Sequence, residues 1–418
     1  MSAAAVTRWA RRFLAASALF LVAWQVAALL AVLPEWQMAV PALASIPRQT
    51  QVVLAVHGFV LHAVFGKAYS LVPSYFDRSL AIPQAPAVQL PLTAAGAVGS
   101  AVGSLPGVPE VVSLVGTLGA VLWAAGVVVF VAALAWTLRD NPTGRETGTS
   151  EANAHRRRVD RFANAFVPVV LGYLLVGAYG TITGQIAVPD PFPVLAFAQT
   201  AHLLAAGIAA LLIFVVGFRL FPRFLVASPP STLVAVVLPA GAVGPAILAW
   251  NLYRNPWFRV GAVLQAIAIV GFAATYAVLF ARSDRRRVGF YAVLFAVGAG
   301  VLGVLVGLQF ALGGFATVPF AGSGFVLVDA HFRLNVLGVL GLTIMGATYQ
   351  FRPPTVGAFP GASDRTALTA AALVGLGLLG ELGGAIAGVE LAVGVGRAVA
   401  LAGAAIFAYL LLGVFRER

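Results

Sequence analysis

Apolar residues do not alternate with polar ones along this chain; they gather in long runs separated by short polar or proline-containing breaks. The runs fall near 12–33, 50–74, 88–106, 110–138, 161–184, 193–221, 231–252, 257–282, 288–313, 326–351, 365–388 and 390–415. Each is near the length that carries an α-helix through a bilayer, about 20 residues. The pattern predicts an all-α, polytopic membrane protein with about twelve transmembrane helices. The count turns on run 88–106, rich in Gly and Ala and bounded by prolines. Without it, eleven helices would move the C-terminus across the membrane. The first run follows Arg8, Arg11 and Arg12, as a signal peptide would. Its apolar stretch outlasts an ordinary signal core and lacks a clear small-residue cleavage site, so it reads as the first helix.

Composition sharpens this. Of 418 residues, 61% are hydrophobic and only 10% charged, too little charge to coat a soluble surface. The formal charge of +12 would suggest a nucleic-acid partner in a soluble protein. Here the arginines cluster at helix ends, as in the run Arg285 to Arg287, so the expected partner is the lipid bilayer and no nucleic acid. With the N-terminus in the cytoplasm, the loops after even-numbered helices carry most of the arginines, among them Arg139, Arg145, Arg156 to Arg158, Arg219, Arg223 and Arg282. The positive-inside rule then predicts a multi-pass protein of the cell membrane with both termini cytoplasmic. Cysteine is absent, which excludes disulfides, thiolate zinc sites, iron–sulfur clusters and a CxxCH heme attachment.

The chain reads as one transmembrane domain, 1–418, with a single long polar segment. That segment, 139–160, is expected to be a solvated cytoplasmic linker between a first and a second four-helix unit, with His155 in it binding nothing specific. A repeat supports such units. Gly66, Tyr69 and Pro73 in helix 2 recur at the same spacing as Gly346, Tyr349 and Pro353 in helix 10, and helix 6 ends similarly with Gly217 and Pro222. Helices 2, 6 and 10 recurring at intervals of four suggest three four-helix units, whose shared axis is where membrane repeats place sites. Small residues serve close helix packing equally well.

Four of the five histidines fall inside these helices: His57, His62, His202 and His331. Ionisable groups in a span are costly and mark function, and neutral imidazole ligates iron or copper. His202 and His331 each precede the terminal glycine of their helix by the same interval, so they share a depth. Two histidines at one depth on neighbouring helices suit a bis-imidazole heme; hydrogen bonding between helices is the competing role. His62 lies off the face of His57. Lys67, Gln185, Gln265, Gln309, Asn335, Tyr349 and Glu381 are the other polar residues within spans. For Glu381 the readings are a proton relay and simple solvation, with solvation expected from its nearness to the outer interface, and no file of acids and lysines suggests a proton pathway.

These residues resemble the catalytic subunit of heme-copper oxidases and nitric oxide reductases. Ala330-His331-Phe332-Arg333, followed by Gly346 and Pro353, is similar to the oxidase stretch A-H-F-H, then G, then P. Gly66, Ala68, Tyr69, Val72 and Pro73 resemble the reductase helix 2, and His202 to Gly207 is similar to its H-L-x-x-E-G with Ala206 in place of the acid. The resemblance implies a heme-copper oxidase subunit I-like fold and His331 as ligand of the catalytic heme. It also implies losses: Arg333 replaces one low-spin heme ligand, the other has no histidine near Gln51 or Val52, and helix 7 lacks its paired metal histidines. What the resemblance leaves is one b-type heme with His331 as proximal ligand and His202 as distal ligand or distal-pocket residue, His57 lining the same cavity, and Arg333 pairing with a heme propionate or with Asp329. Copper has an incomplete ligand set. The twelve-helix plan is also similar to the NnrS family, heme- and copper-containing membrane proteins linked to nitric oxide metabolism. The implied function is handling, reducing or sensing nitric oxide or another diatomic gas, as an oxidoreductase only if a partner protein or quinol donates electrons. A membrane transporter or channel, and a cofactor-free structural protein, are the alternatives.

Overall fold

The computed structural model describes residues 3–33, 46–106, 110–252, 256–313 and 324–417. Twelve helices among them are long and apolar enough to cross a membrane: α1 (Val6–Leu30), α2 (Arg48–Tyr75), α3 (Ala85–Gly103), α4 (Ser113–Leu138), α5 (Glu151–Thr183), α6 (Phe197–Leu225), α7 (Ser231–Trp250), α8 (Trp257–Arg282), α9 (Val288–Gly313), α10 (Leu327–Val356), α11 (Asp364–Ala387) and α12 (Glu390–Glu417). No strand occurs among the described residues. The protein is therefore a polytopic, all-helical membrane protein, and α3 supplies the span on which the count depended. Large apolar side chains such as Leu19, Leu114 and Leu376 face outward, an arrangement that lipid accepts and water does not. Successive helices alternate in direction; the end of the bundle holding the start of α1 is called the N side below, and the opposite end the far side.

Packing repeats every four helices. The pairs α3/α4, α7/α8 and α11/α12 are the most intimate hairpins, and contacts of α4 with α5, α8 with α9 and α12 with α1 close the ring. Helices α2, α6 and α10 are the most buried. Each contains a π-helical stretch at its middle, Val53–Val60, Leu203–Ala210 and Leu334–Gly341, and the three stretches touch one another. A π turn widens the helix and re-aims side chains, and it recurs at functional sites. The repeated glycine follows each stretch. At Gly346 its role is close approach: a Cβ there would stand 2.5 Å from the carbonyl oxygen of Gly289 on α9, so only glycine fits.

The polar segment 139–160 is largely exposed, as its composition suggests, but a few of its side chains are built into the bundle. Helix C-termini leave carbonyls without intrahelical donors, and this segment supplies them at the N side. Asn141 Nδ2 donates to the Phe76 carbonyl at 3.1 Å, and Asn164, just beyond the segment, donates from Nδ2 to the Tyr75 carbonyl at 2.9 Å. Asp160, buried, accepts from Arg223 at 2.5 Å, lies 3.6 Å from Arg219 Nε and is bonded by Thr149. Arg219 also stacks over the Tyr75 ring, 3.9 Å from its centroid. Arg219 and Arg223 are thus partners of this cap rather than loop charges. His155 remains exposed, accepting from Arg156 Nε at 3.0 Å.

Candidate functional site

The π turns of α2 and α10 and the far-side halves of α6 to α9 leave a cavity of about 410 Å³ between them. Its walls are mostly aliphatic and aromatic, and His202 and His331 both line it. The two histidines expected at one depth thus share one cavity.

Each imidazole is oriented through Nδ1. His202 Nδ1 lies 2.7 Å from the Ala198 carbonyl, one turn back on its own helix. His331 Nδ1 lies 2.9 Å from the Gly303 carbonyl on α9. A carbonyl can only accept, so Nδ1 carries the hydrogen in both rings and Nε2 keeps its lone pair. That is the arrangement by which proteins prepare a histidine to bind a metal. His331 is the more firmly held, because its partner belongs to another helix. Asn335 Nδ2 donates to its carbonyl at 2.8 Å, and Phe310 packs edge-on with ring centroids 6.0 Å apart. Gly307 gives the ring its room: a Cβ there would sit 2.7 Å from His331 Cε1.

Arg48 and Gln49, at the start of α2, form one rim, and Gln265 of α8 lines the wall. Arg48 is the one arginine or lysine in the lining among the described residues, and its Nε lies 3.6 Å from Asp329. Sequence reasoning missed Arg48, Gly303 and Gly307. The usable signal for Gly307 was its place on a helix facing His331, which a sequence does not display.

Two expected site residues lie elsewhere. Arg333 is fully buried on the other side of α10, where it forms a two-point ion pair with Glu381 and donates to Gln25 Oε1 at 2.8 Å. It pairs with neither Asp329 nor anything in the cavity. A guanidinium buried this deeply requires a carboxylate fork within reach, and Glu381 on α11 provides it. Asp329 is taken by Arg397 and Arg48. Glu381 is correspondingly buried, 3% exposed, rather than solvated. His57 also leaves the cavity: it lies between the Trp123 ring of α4, at 4.4 Å, and the Thr181 hydroxyl of α5, at 3.2 Å. The π turn on which it sits re-aims it away from the neighbouring Val52 and Val56, which do line the cavity.

Among the described residues, no group of three or more histidine and carboxylate side chains is placed to hold a bare metal ion. The chemistry open to the cavity is two neutral nitrogen donors, apolar walls and a polar rim. No protein-family model matches the chain, and no curated protein matches it in sequence.

Proposed function

We propose that the cavity binds one b-type heme, with His331 as its axial ligand and His202 on the opposite face, and that the protein handles or senses nitric oxide or another diatomic gas. The observation carrying this reading is the pair of histidines whose Nδ1–H groups are committed to carbonyls while Nε2 is left for iron. The cavity fits the cofactor class: its volume lies within the range of about 300–1,000 Å³ typical of ligand sites, and its walls are apolar. Gln49 offers an amide donor at one rim, beside the Arg48–Asp329 pair. A porphyrin brings four nitrogen ligands of its own, so two histidines suffice where a bare metal would need more.

When bound, heme supplies an iron able to take a diatomic ligand. The chain's residues do the rest. The Gly303 carbonyl fixes the His331 ring and makes it a better donor. His202, held only by its own helix, would be the weaker of the two ligands and the one a diatomic gas would displace. The apolar walls exclude water. Turnover as a nitric oxide reductase would need electrons from a partner protein or a quinol. The period-four packing and central π helices support an oxidase-like fold, and the twelve-helix plan accords with an NnrS-like relative. Arginines at the N side support cytoplasmic termini in the cell membrane.

Purified protein given hemin should take up one heme per chain and show split visible bands on reduction. His202→Ala should keep the heme and change its spin state. A wild-type protein that takes up no heme would sink this reading.

A further inference from the structure

Lys67 is the sole lysine among the 418 residues, and a second cavity lies beside it. This pocket encloses about 90 Å³ between the N-side halves of α2, α6 and α10. Its innermost lining residues, Ala63, Leu212 and Thr343, each fall within one turn past the π stretch of their helix. The three π stretches therefore stand between this pocket and the cavity lined by His202 and His331. Leu14 of α1 joins Val64, Ile213 and Ile344 in walls that are almost wholly aliphatic.

The two ends of the pocket differ. At its N-side end the Lys67 ammonium lies 4.0 Å from the centroid of the Phe351 ring, and Phe351 is the last residue of its α-helical run. Both residues are partly exposed, so the charge stands at a mouth. A ring face attracts a cation but satisfies none of the ammonium's N–H donors in the way an oxygen acceptor would. No carboxylate among the described residues pairs with Lys67, and Arg352, next along α10, adds a second positive charge. At the inner end Thr343 is 5% exposed, and its hydroxyl has no hydrogen-bond partner. A helical threonine can return its hydroxyl to a carbonyl of the preceding turn, as Thr275 does to Gly271 at 2.8 Å. From Thr343 to Phe351, α10 rises about 12 Å.

These features describe an occupant in three parts. An ammonium without a carboxylate calls for an anion at the mouth, and the aliphatic walls call for a hydrocarbon body. The unspent hydroxyl calls for a hydrogen-bonding group at the inner tip. The volume is about three times the ~30 Å³ of a water molecule in the liquid, which limits the body to about three or four carbons. A bare inorganic anion would leave the walls and Thr343 unmet, and a fatty-acid chain would not fit. We propose that this pocket binds a short straight-chain carboxylate bearing a hydroxyl or carbonyl at its other end, with the carboxylate on Lys67 and the second group on Thr343. Binding is non-covalent and does not rest on the heme, since none of these residues lines the histidine cavity.

The test uses the detergent-purified full chain and two readouts. One is calorimetry; the other is protection of Lys67 from acetylation by an N-hydroxysuccinimide ester, followed on its peptide by mass spectrometry. The probe γ-hydroxybutyrate should bind once per chain with a dissociation constant of about 1 mM or tighter, and it should slow the labelling of Lys67. Butyrate, lacking the tip, should bind about tenfold more weakly, the worth of one hydrogen bond. Nitrate should give neither heat nor protection at the same concentrations. Thr343→Val, which keeps the shape, should lower the affinity for γ-hydroxybutyrate to that of butyrate. Lys67→Met should weaken binding by about 100-fold or more. His331→Ala should leave both readouts unchanged, so failure here and failure of the heme reading are separate results. No binding of γ-hydroxybutyrate at concentrations tenfold higher, equal protection by nitrate, or an affinity indifferent to Thr343→Val would overturn the inference.

Discussion

Two residues apart on α10, His331 and Arg333 face opposite surroundings. His331 lines an open, apolar cavity and keeps one nitrogen uncommitted. Arg333 is sealed among Glu381, Gln25 and Trp24, with its guanidinium 5.4 Å from the Trp24 ring centroid. The contrast separates two uses of polar groups inside a membrane. On one face a polar group has bonding capacity left over, and that surplus is available to a ligand. On the other the charges are matched to one another, and the benefit is to how α1, α10, α11 and α12 hold together. A buried ion pair is poor proof of added stability, but breaking one is severe because the survivor stays buried and uncompensated.

The sharpest way to break the comparison is to remove a charge from the sealed face. Glu381→Leu strands Arg333 and weakens the hold on Arg397, with an expected loss of about 3–5 kcal/mol, read as a large fall in thermal midpoint of the detergent-solubilised protein. Pairing it with Arg333→Met should restore most of that loss; an unchanged midpoint in the single variant would show that the ion pair does not hold the helices. The cap at the N side offers a second case. Asp160→Ala leaves Arg219 buried without its carboxylate, for a loss of about 3 kcal/mol, and limited proteolysis should then cut within 139–160 faster than in the wild type.

Changes on the open face should move heme binding and leave stability nearly untouched. Gly307→Val forces its side chain onto His331 Cε1, and heme uptake should fall 100-fold or more, while the thermal midpoint of the heme-free protein shifts by only a few degrees. Uptake equal to wild type would mean the ring need not sit there. Asn335→Leu should have the smallest effect, weakening heme affinity about 10-fold, the lower end of what supporting residues contribute; a titration with hemin reads it directly.

The twelve helices were legible because lipid demands long apolar runs, and nothing else in a sequence imitates them. Gly66, Gly217 and Gly346 likewise exposed the period of four, since helix spacing depends on them. The shared cavity of His202 and His331 was legible through their equal distance from those glycines. What was not legible depended on direction or on distant partners. The spacing of Asp329 and Arg333 permitted a pair on one helix, but Glu381 and Arg397 lie far along the chain and compete for both. His57 looked like a third member of the cavity until the π turn of α2 rotated it toward Trp123. Segment 139–160 has the composition of a loop because the carbonyls it caps belong to other elements.

The central claim rests on His331, so the most direct measurement is a hemin titration followed by the reduced spectrum, run on wild type and His331→Ala side by side. The account predicts one heme per chain with a sharp Soret band in the wild type, and no specific uptake in the variant at an unchanged thermal midpoint. Equal uptake by both proteins, or none by either, would contradict it.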